Sequence, residues 1–218
     1  MMIELNQVYN EDCLLTMSKM SDKSVDSFAD PKYNVGKNYG SVDDSMSDAE
    51  YLKWIETVLI ELKRVSKKLT IYTPHKYSRE YWNILGIGFK EVIGTWKPAG
   101  AIRWGWSNQF AKLLTNAAPP KGTRDVWEGV QMPGQGWFFR ENTFEHPGYT
   151  SADLTRRVVK LLCDDIVYDP FIGTGTTAIE AAKIGKQWVG SEIEKKWSEL
   201  AMKRIENETR QSDLSLSS

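Results

Sequence analysis

The chain has 218 residues, 41% of them hydrophobic and 26% charged, which is enough for one well-packed domain with a sizeable insertion and cramped for two. Lys and Arg total 28 against 29 Asp and Glu, so the formal charge of −1 neither demands nor rules out nucleic acid, and any basic surface must be local. Cys13 and Cys163 share no metal-ligand spacing and lie in apolar surroundings, which predicts buried, reduced thiols with no disulfide in a cytoplasmic setting. No apolar run approaches membrane-spanning length, and the polar N-terminus lacks a signal-peptide core, so a soluble, unexported protein without a membrane partner is expected.

In chain order, Met2 to Tyr9 reads as a strand and Asp12 to Met20 as a short helix, neither carrying evident chemistry. Val25 to Ala29 is a short apolar-leaning strand that ends in Asp30-Pro31-Lys32-Tyr33-Asn34 and a glycine-punctuated stretch through Gly40. A carboxylate, a proline and an aromatic just beyond a strand's carboxyl end stand where open α/β sheets bind ligands. Ser47 and Glu50 form a capping box for a helix striped by Tyr51, Trp54, Ile55, Val58, Leu59, Leu62 and Val65. Leu69 to Thr73 is read as a strand, Ser78 to Leu85 as a helix and Phe89 to Trp96 as a strand, an alternation that predicts a mostly parallel twisted sheet with helices on both faces.

Residues 97–146 break this rhythm with four of the eight prolines, six of the sixteen glycines and Trp104, Trp106, Trp127 and Trp137. Lys97, Arg103, Lys112, Lys121, Arg124 and Arg140 face four acids there, a local excess of +2. An irregular insertion of this length either folds its aromatics over the sheet or uses cations and rings to neutralise phosphates and stack on bases, and the residues favour neither. Arg103, Trp104, Trp106, Lys121 and Arg124, with Lys32 and Lys37, are the candidate nucleic-acid contacts. Thr150 to Leu162 then reads as a helix opened by Thr150 or Ser151.

The most informative stretch follows. Ile166, Val167 and Tyr168 form a short buried strand, and Asp169-Pro170-Phe171-Ile172-Gly173-Thr174-Gly175-Thr176-Thr177-Ala178 turns sharply into a helix that Gly185 stops. Gln187 to Ile193 is the next strand, with Glu192 lying 19 residues after Gly173, the spacing at which an acid reaches ribose hydroxyls in a β-α-β nucleotide site. Residues 194–218 leave no room for a second such half, so the pattern predicts one nucleoside-like ligand and not a nicotinamide dinucleotide. Trp197 to Ile205 is read as a last helix, and 206–218 as a flexible polar tail.

Taken together these motifs resemble the amino-group DNA methyltransferases that use S-adenosylmethionine, in the arrangement where the catalytic motif precedes the cofactor motif. Asp30-Pro31-Lys32-Tyr33 is similar to the family's D-P-P-Y, and Asp169 to Thr177 to its D-P-F-x-G-x-G-T-T. Gly190-Ser191-Glu192-Ile193 is similar to its ribose-binding strand, and His146-Pro147 to the start of its H-P-x-Q-K-P segment. The resemblance implies a Rossmann-like methyltransferase fold over 1–96 and 147–205, with a target-recognition region in 97–146. It implies Asp30, Pro31 and Tyr33 as catalytic residues, and Asp169, Phe171, Gly173, Gly175, Thr176, Thr177, Glu192 and His146 as cofactor contacts.

The implied reaction is methylation of a flipped-out base in DNA, adenine N6 because Asp opens the motif, with cytosine N4 as the near alternative and no metal. A homodimer, common among relatives with this motif order, and a place in restriction and modification are implied as well. Two departures stand out: Lys32 replaces the second proline, and Gly148-Tyr149-Thr150-Ser151 follows Pro147 without the family's Gln and Lys. They keep open a second reading, a catalytically degenerate methyltransferase-like protein that binds nucleic acid, and a third in which the acceptor is RNA or a small molecule.

Overall fold

The structure, a computed structural model, describes residues 3–37, 44–96, 110–131 and 150–216. Among the described residues, eight strands form one sheet: β1 (Gln7–Tyr9), β2 (Val25–Ala29), β3 (Ser66–Tyr72), β4 (Lys90–Thr95), β5 (Phe110–Thr115), β6 (Val126–Trp127), β7 (Ile166–Asp169) and β8 (Gln187–Ser191). Their spatial order is β1-β8-β7-β2-β3-β5-β4-β6, and only β5 runs antiparallel to its neighbours.

Successive strand residues point to opposite faces, and the sheet uses both. Phe28, Leu113, Val167 and Trp188 enter a core with α4 (Ala152–Leu162), α5 (Thr176–Ala182) and α6 (Lys195–Leu216). Their neighbours Ala29, Leu114, Tyr168 and Val189 enter a second core with α1 (Cys13–Ser18), α2 (Asp48–Val65) and α3 (Ser78–Leu85). The α2 stripe accounts for its place there: Tyr51, Ile55, Val58, Leu59, Leu62 and Val65 are all buried, and the Ser47–Glu50 capping box closes its first turn.

Strand β2 lies at the centre of the sheet although its sequence, Val-Asp-Ser-Phe-Ala, is only partly apolar. Its polar residues are buried with partners, as the interior requires. Asp26 accepts the N–H groups of Lys68 (3.1 Å) and Asp164 (2.5 Å), tying β3 and the α4–β7 turn to β2, and the Ser27 and Ser66 hydroxyls share a hydrogen bond of 2.6 Å.

Two expectations are corrected. The segment 97–146 is not wholly an insertion, because Phe110–Thr115 is an interior strand with Ala111, Leu113 and Leu114 buried, and Thr115 shares a hydroxyl hydrogen bond of 2.8 Å with Thr70 of β3. Its six residues show no clear alternation and are overshadowed in the sequence by flanking Pro, Gly and Trp. The C-terminal segment is not a flexible tail from 206, because α6 continues to Leu216. At its start Glu208 meets Lys183 at 2.7 Å, and the Thr209 hydroxyl folds back onto the Ile205 carbonyl at 2.7 Å. Among the described residues no helix is long and apolar enough to cross a membrane.

Candidate active site

From β7 the chain proceeds to β8 on one side of the sheet, and from β2 to β3 on the other. The crevice beyond the carboxyl ends of β7 and β2 is therefore the topological switch point, where doubly wound sheets bind ligands. Both loops singled out in the sequence open into it.

After β2, the Asp30 carboxylate accepts the Tyr33 hydroxyl on Oδ1 at 2.5 Å and the Thr150 hydroxyl on Oδ2 at 2.9 Å. Burial raises the Asp30 pKa, while these two hydrogen bonds and the nearby Lys37 cation draw it back down. Tyr33 is held well above its ordinary range, first by burial and then by the Asp30 charge. The loop then turns through Asn34 at φ 55°, a left-handed conformation that asparagine tolerates. Asp44 fixes that turn: buried to 2% exposure, it accepts the N–H groups of Asn34 at 2.8 Å, Val35 at 3.1 Å and Lys37 at 3.0 Å. The Asn34 amide donates to the Met46 carbonyl and the Tyr77 hydroxyl, and Tyr51 of α2 donates to the Lys32 carbonyl at 3.0 Å while sharing a hydrogen bond with Tyr81 of α3. The Lys32 ammonium lies 5.0 Å over the Trp54 ring.

After β7, the loop is braced by its own first residue. Asp169 accepts the Phe171 N–H at 2.9 Å and the Thr177 hydroxyl at 2.5 Å, spanning the turn from strand to helix. Gly173 (φ 51°) and Gly175 (φ 89°) supply the left-handed backbone, and a Cβ on Gly175 would also meet Ile205 at 3.2 Å. Glu192 reaches across from the end of β8, accepting the N–H groups of Gly173 at 3.0 Å and Glu194 at 2.9 Å. Arg204 of α6 donates to both the carbonyl (2.5 Å) and the hydroxyl (2.8 Å) of Thr174. Thr176 opens α5, and Phe171 packs 5.9 Å from Trp54, so the two loops meet through one tryptophan.

Charge accumulates in this crevice. Burial, helped by the nearby Asp30 and Glu192 carboxylates and opposed by the hydrogen bonds from Thr177 and Phe171, pushes Asp169 up to about 7. Glu192 is raised as well, by burial, with the Glu194 and Gly173 N–H groups pulling against it. Three carboxylates facing one space favour a ligand that carries positive charge.

The structure thus brings Asp30, Pro31, Lys32, Tyr33, Asp169, Phe171, Gly173, Gly175, Thr176, Thr177 and Glu192 to one crevice, with Lys37 at its exposed edge. It does not bring Lys121 and Arg124 there: they are exposed in the β5–β6 connection, on the far edge of the sheet from β2. His146, Arg103, Trp104 and Trp106 lie outside the described residues. Sequence reasoning passed over Asp44, Arg204 and Thr150. It also gave no role to Gly190, where a Cβ would stand 2.2 Å from Ile172 Cδ1, so only glycine lets the cofactor-motif loop lie over β8. A lone glycine inside a strand signals this kind of close approach and could have flagged it.

Solved structures share the fold. The PvuII DNA methyltransferase (cytosine-N4-specific) aligns with a TM-score of 0.67 at 13% identity over 94% of this chain and 91% of that one. The M1.HpyAVI–SAM complex aligns at 0.61 and 17% identity, over 91% and 98%. In sequence, the type II methyltransferase M.HpaI of Haemophilus parainfluenzae is 26% identical over 90% of this chain and 73% of its own length. DNA adenine methyltransferase YhdJ of Escherichia coli (strain K12) is 24% identical over 93% and 83%. The N6/N4 methyltransferase family model, described as DNA methylase, matches residues 111–203, from β5 through the glycine-rich loop into α6.

The sheet order and the paired loops define a Rossmann-like methyltransferase fold. Within that class, residues 111–203 match the N6/N4 DNA methylase family, and the relatives found over most of the chain are DNA methyltransferases.

Proposed function

We propose that this protein transfers a methyl group from S-adenosylmethionine to an exocyclic amine of a base in DNA, adenine N6 in preference to cytosine N4. The observation that carries the reading is the meeting of the Asp30–Tyr33 loop and the Asp169–Thr177 loop over one crevice lined by three carboxylates.

The residues fit the cofactor. Glu192 accepts one N–H on each oxygen and keeps lone pairs for two ribose hydroxyls, and the clustered negative charge suits a cationic sulfonium and ammonium. When bound, the cofactor supplies a methyl group already activated by the sulfonium, so positioning is the protein's main task. An exocyclic amine is a poor nucleophile because its lone pair is delocalised into the ring. Asp30 Oδ1 accepts one amine hydrogen and the Pro31 carbonyl a second, moving nitrogen toward tetrahedral geometry, and Asp30 holds the proton that the amine sheds. Tyr33, on releasing Asp30, stacks on the flipped base, a contact worth about 1–3 kcal/mol on other aromatic platforms. The adenine preference rests on Asp as the first residue of the motif.

The test is transfer of labelled methyl from S-adenosylmethionine to unmethylated DNA, with product nucleosides identified by mass spectrometry. N6-methyladenine is expected. N4-methylcytosine would reassign the base, and no transfer to any unmethylated DNA would overturn the reading.

A further inference from the structure

Each oxygen of Asp30 carries one hydroxyl donor, and the two donors differ in what holds them. Tyr33, on Oδ1, belongs to the same loop three residues on and must leave when its ring takes up a base. Thr150, on Oδ2, immediately precedes α4 and is anchored to it. The neighbouring Ser151 caps that helix, its hydroxyl accepting the Leu154 N–H at 3.2 Å and donating to the Gln131 carbonyl at 2.5 Å, while its carbonyl accepts the Thr155 N–H at 2.9 Å. Leu154, Val158 and Val159 then bury α4 against the sheet. Thr150 therefore joins the loop after β2 to a fixed helix start 120 residues away.

We infer that Thr150 is a positioning residue for Asp30: it pins the carboxylate by Oδ2, fixes its rotation, and leaves Oδ1 to pass from the Tyr33 hydroxyl to the target amine. This rests on the reading of Asp30 as amine acceptor. A donor on Oδ2 also favours the ionised carboxylate, the form with lone pairs for the amine on both oxygens. The other groups facing Asp30 are Tyr33 and Lys37 of its own loop, Tyr72 of β3, Tyr81 of α3 and Asp169 of β7. Among them Tyr33 and Lys37 also favour ionisation, and Asp169 carries like charge. When Tyr33 swings to the base, Thr150 remains as the hydrogen-bond donor.

The experiment compares wild type with Thr150→Val and Thr150→Ser, following the Asp30 carboxyl carbon by NMR on protein labelled at Asp carboxyls and, in parallel, kcat against pH. Asp30→Asn assigns the signal. In Thr150→Val the Asp30 titration and the acid limb of kcat both move to higher pH, kcat at neutral pH falls about tenfold, and the KM for S-adenosylmethionine is unchanged. Thr150→Ser restores both. An unmoved titration, a uniform loss of kcat without a pH shift, or failure of the serine to rescue overturns the inference. Should Thr150→Val fold poorly, the serine and an alanine variant give the same two readouts. If Asp30→Asn retains the wild-type rate, the reading of Asp30 fails instead, while the NMR titration still reports on the Thr150 contact.

Discussion

The glycine-rich loop after β7 is braced first by its own opening residue and its glycines, whereas the loop after β2 is held by Asp44 near its far end and by tyrosines outside it. In the first, Asp169 bridges residues two and eight positions ahead, two glycines take the left-handed turns, and β8 supplies a flat floor at Gly190. In the second, Asp44 from the same loop holds the backbone, and Tyr51 and Tyr77 hold the Lys32 carbonyl and Asn34 from outside it. Under the proposed function the difference matches two tasks. A cofactor would return every turnover to the same cradle, which suits a rigid backbone. A flipped base would need Tyr33 to let go of Asp30 first, so that loop would have to be held without being locked.

Gly190→Ala breaks one side of this comparison. Its Cβ would stand 2.2 Å from Ile172 Cδ1 and 2.9 Å from Ile172 Cβ, so the loop must lift off β8. Overpacking of this kind costs about 1–3 kcal/mol, and cofactor affinity should fall up to about 100-fold. Calorimetry with S-adenosylhomocysteine measures it, and an unchanged affinity would show that the loop does not need its floor. Asp44→Ala breaks the other side. It strips an acceptor from three N–H groups, of which those of Val35 and Lys37 lie on exposed residues and can turn to water, so the effect stays near the low end of about 1–3 kcal/mol. Expected is a roughly tenfold lower kcat with unchanged cofactor affinity. Equal loss of both would mean that the two loops move as one body.

A pH experiment sharpens the comparison without mutation. Asp169 titrates at about 7 in the free crevice, and a cationic ligand lowers that pKa by favouring the carboxylate. Affinity for S-adenosylmethionine is then full above pH 7 and falls as pH drops through 7, at most about tenfold per unit, with proton release on binding. S-adenosylhomocysteine, which lacks the sulfonium, should show a shallower slope. Calorimetry in buffers of different ionisation enthalpy reads the proton count, and equal slopes would remove the sulfonium from the argument.

How much of this was legible follows the same division. Local information defined the glycine-rich loop, since its strand, turn glycines, helix and terminal acid are contiguous, and α2 announced itself through a capping box and one apolar stripe. Asp44 could not be found that way: it stands in a polar stretch of the sequence, and only the folded loop shows it turned inward. Strand β5 was hidden for a related reason, because six residues without a clear alternation carry less weight than the Pro, Gly and Trp around them until β3 and β4 are in place to flank them. In the extension of α6, Glu208 pairs with Lys183 of another element, a contact that no reading of residues 206–216 alone contains.

Lys32 is where the loop after β2 departs from the D-P-P-Y motif it resembles, and the smallest effect is expected there. Proline in that place would stiffen the loop by restricting the backbone, a gain of about 0.4–1 kcal/mol where the geometry allows it. The loop is already tied at that residue, because the Lys32 carbonyl accepts the Tyr51 hydroxyl and Asp44 secures the next turn. The lysine adds a contact that proline cannot make, its ammonium over Trp54, worth about 0.5–1 kcal/mol when exposed. The two contributions are of similar size and opposite in sign for Lys32→Pro, so kcat should change less than about threefold and the midpoint of thermal unfolding little. A rate increase beyond tenfold would show that the lysine leaves the loop loose despite Tyr51 and Asp44. A comparable loss would show that the cation on Trp54, packed in turn against Phe171, helps to align the two loops.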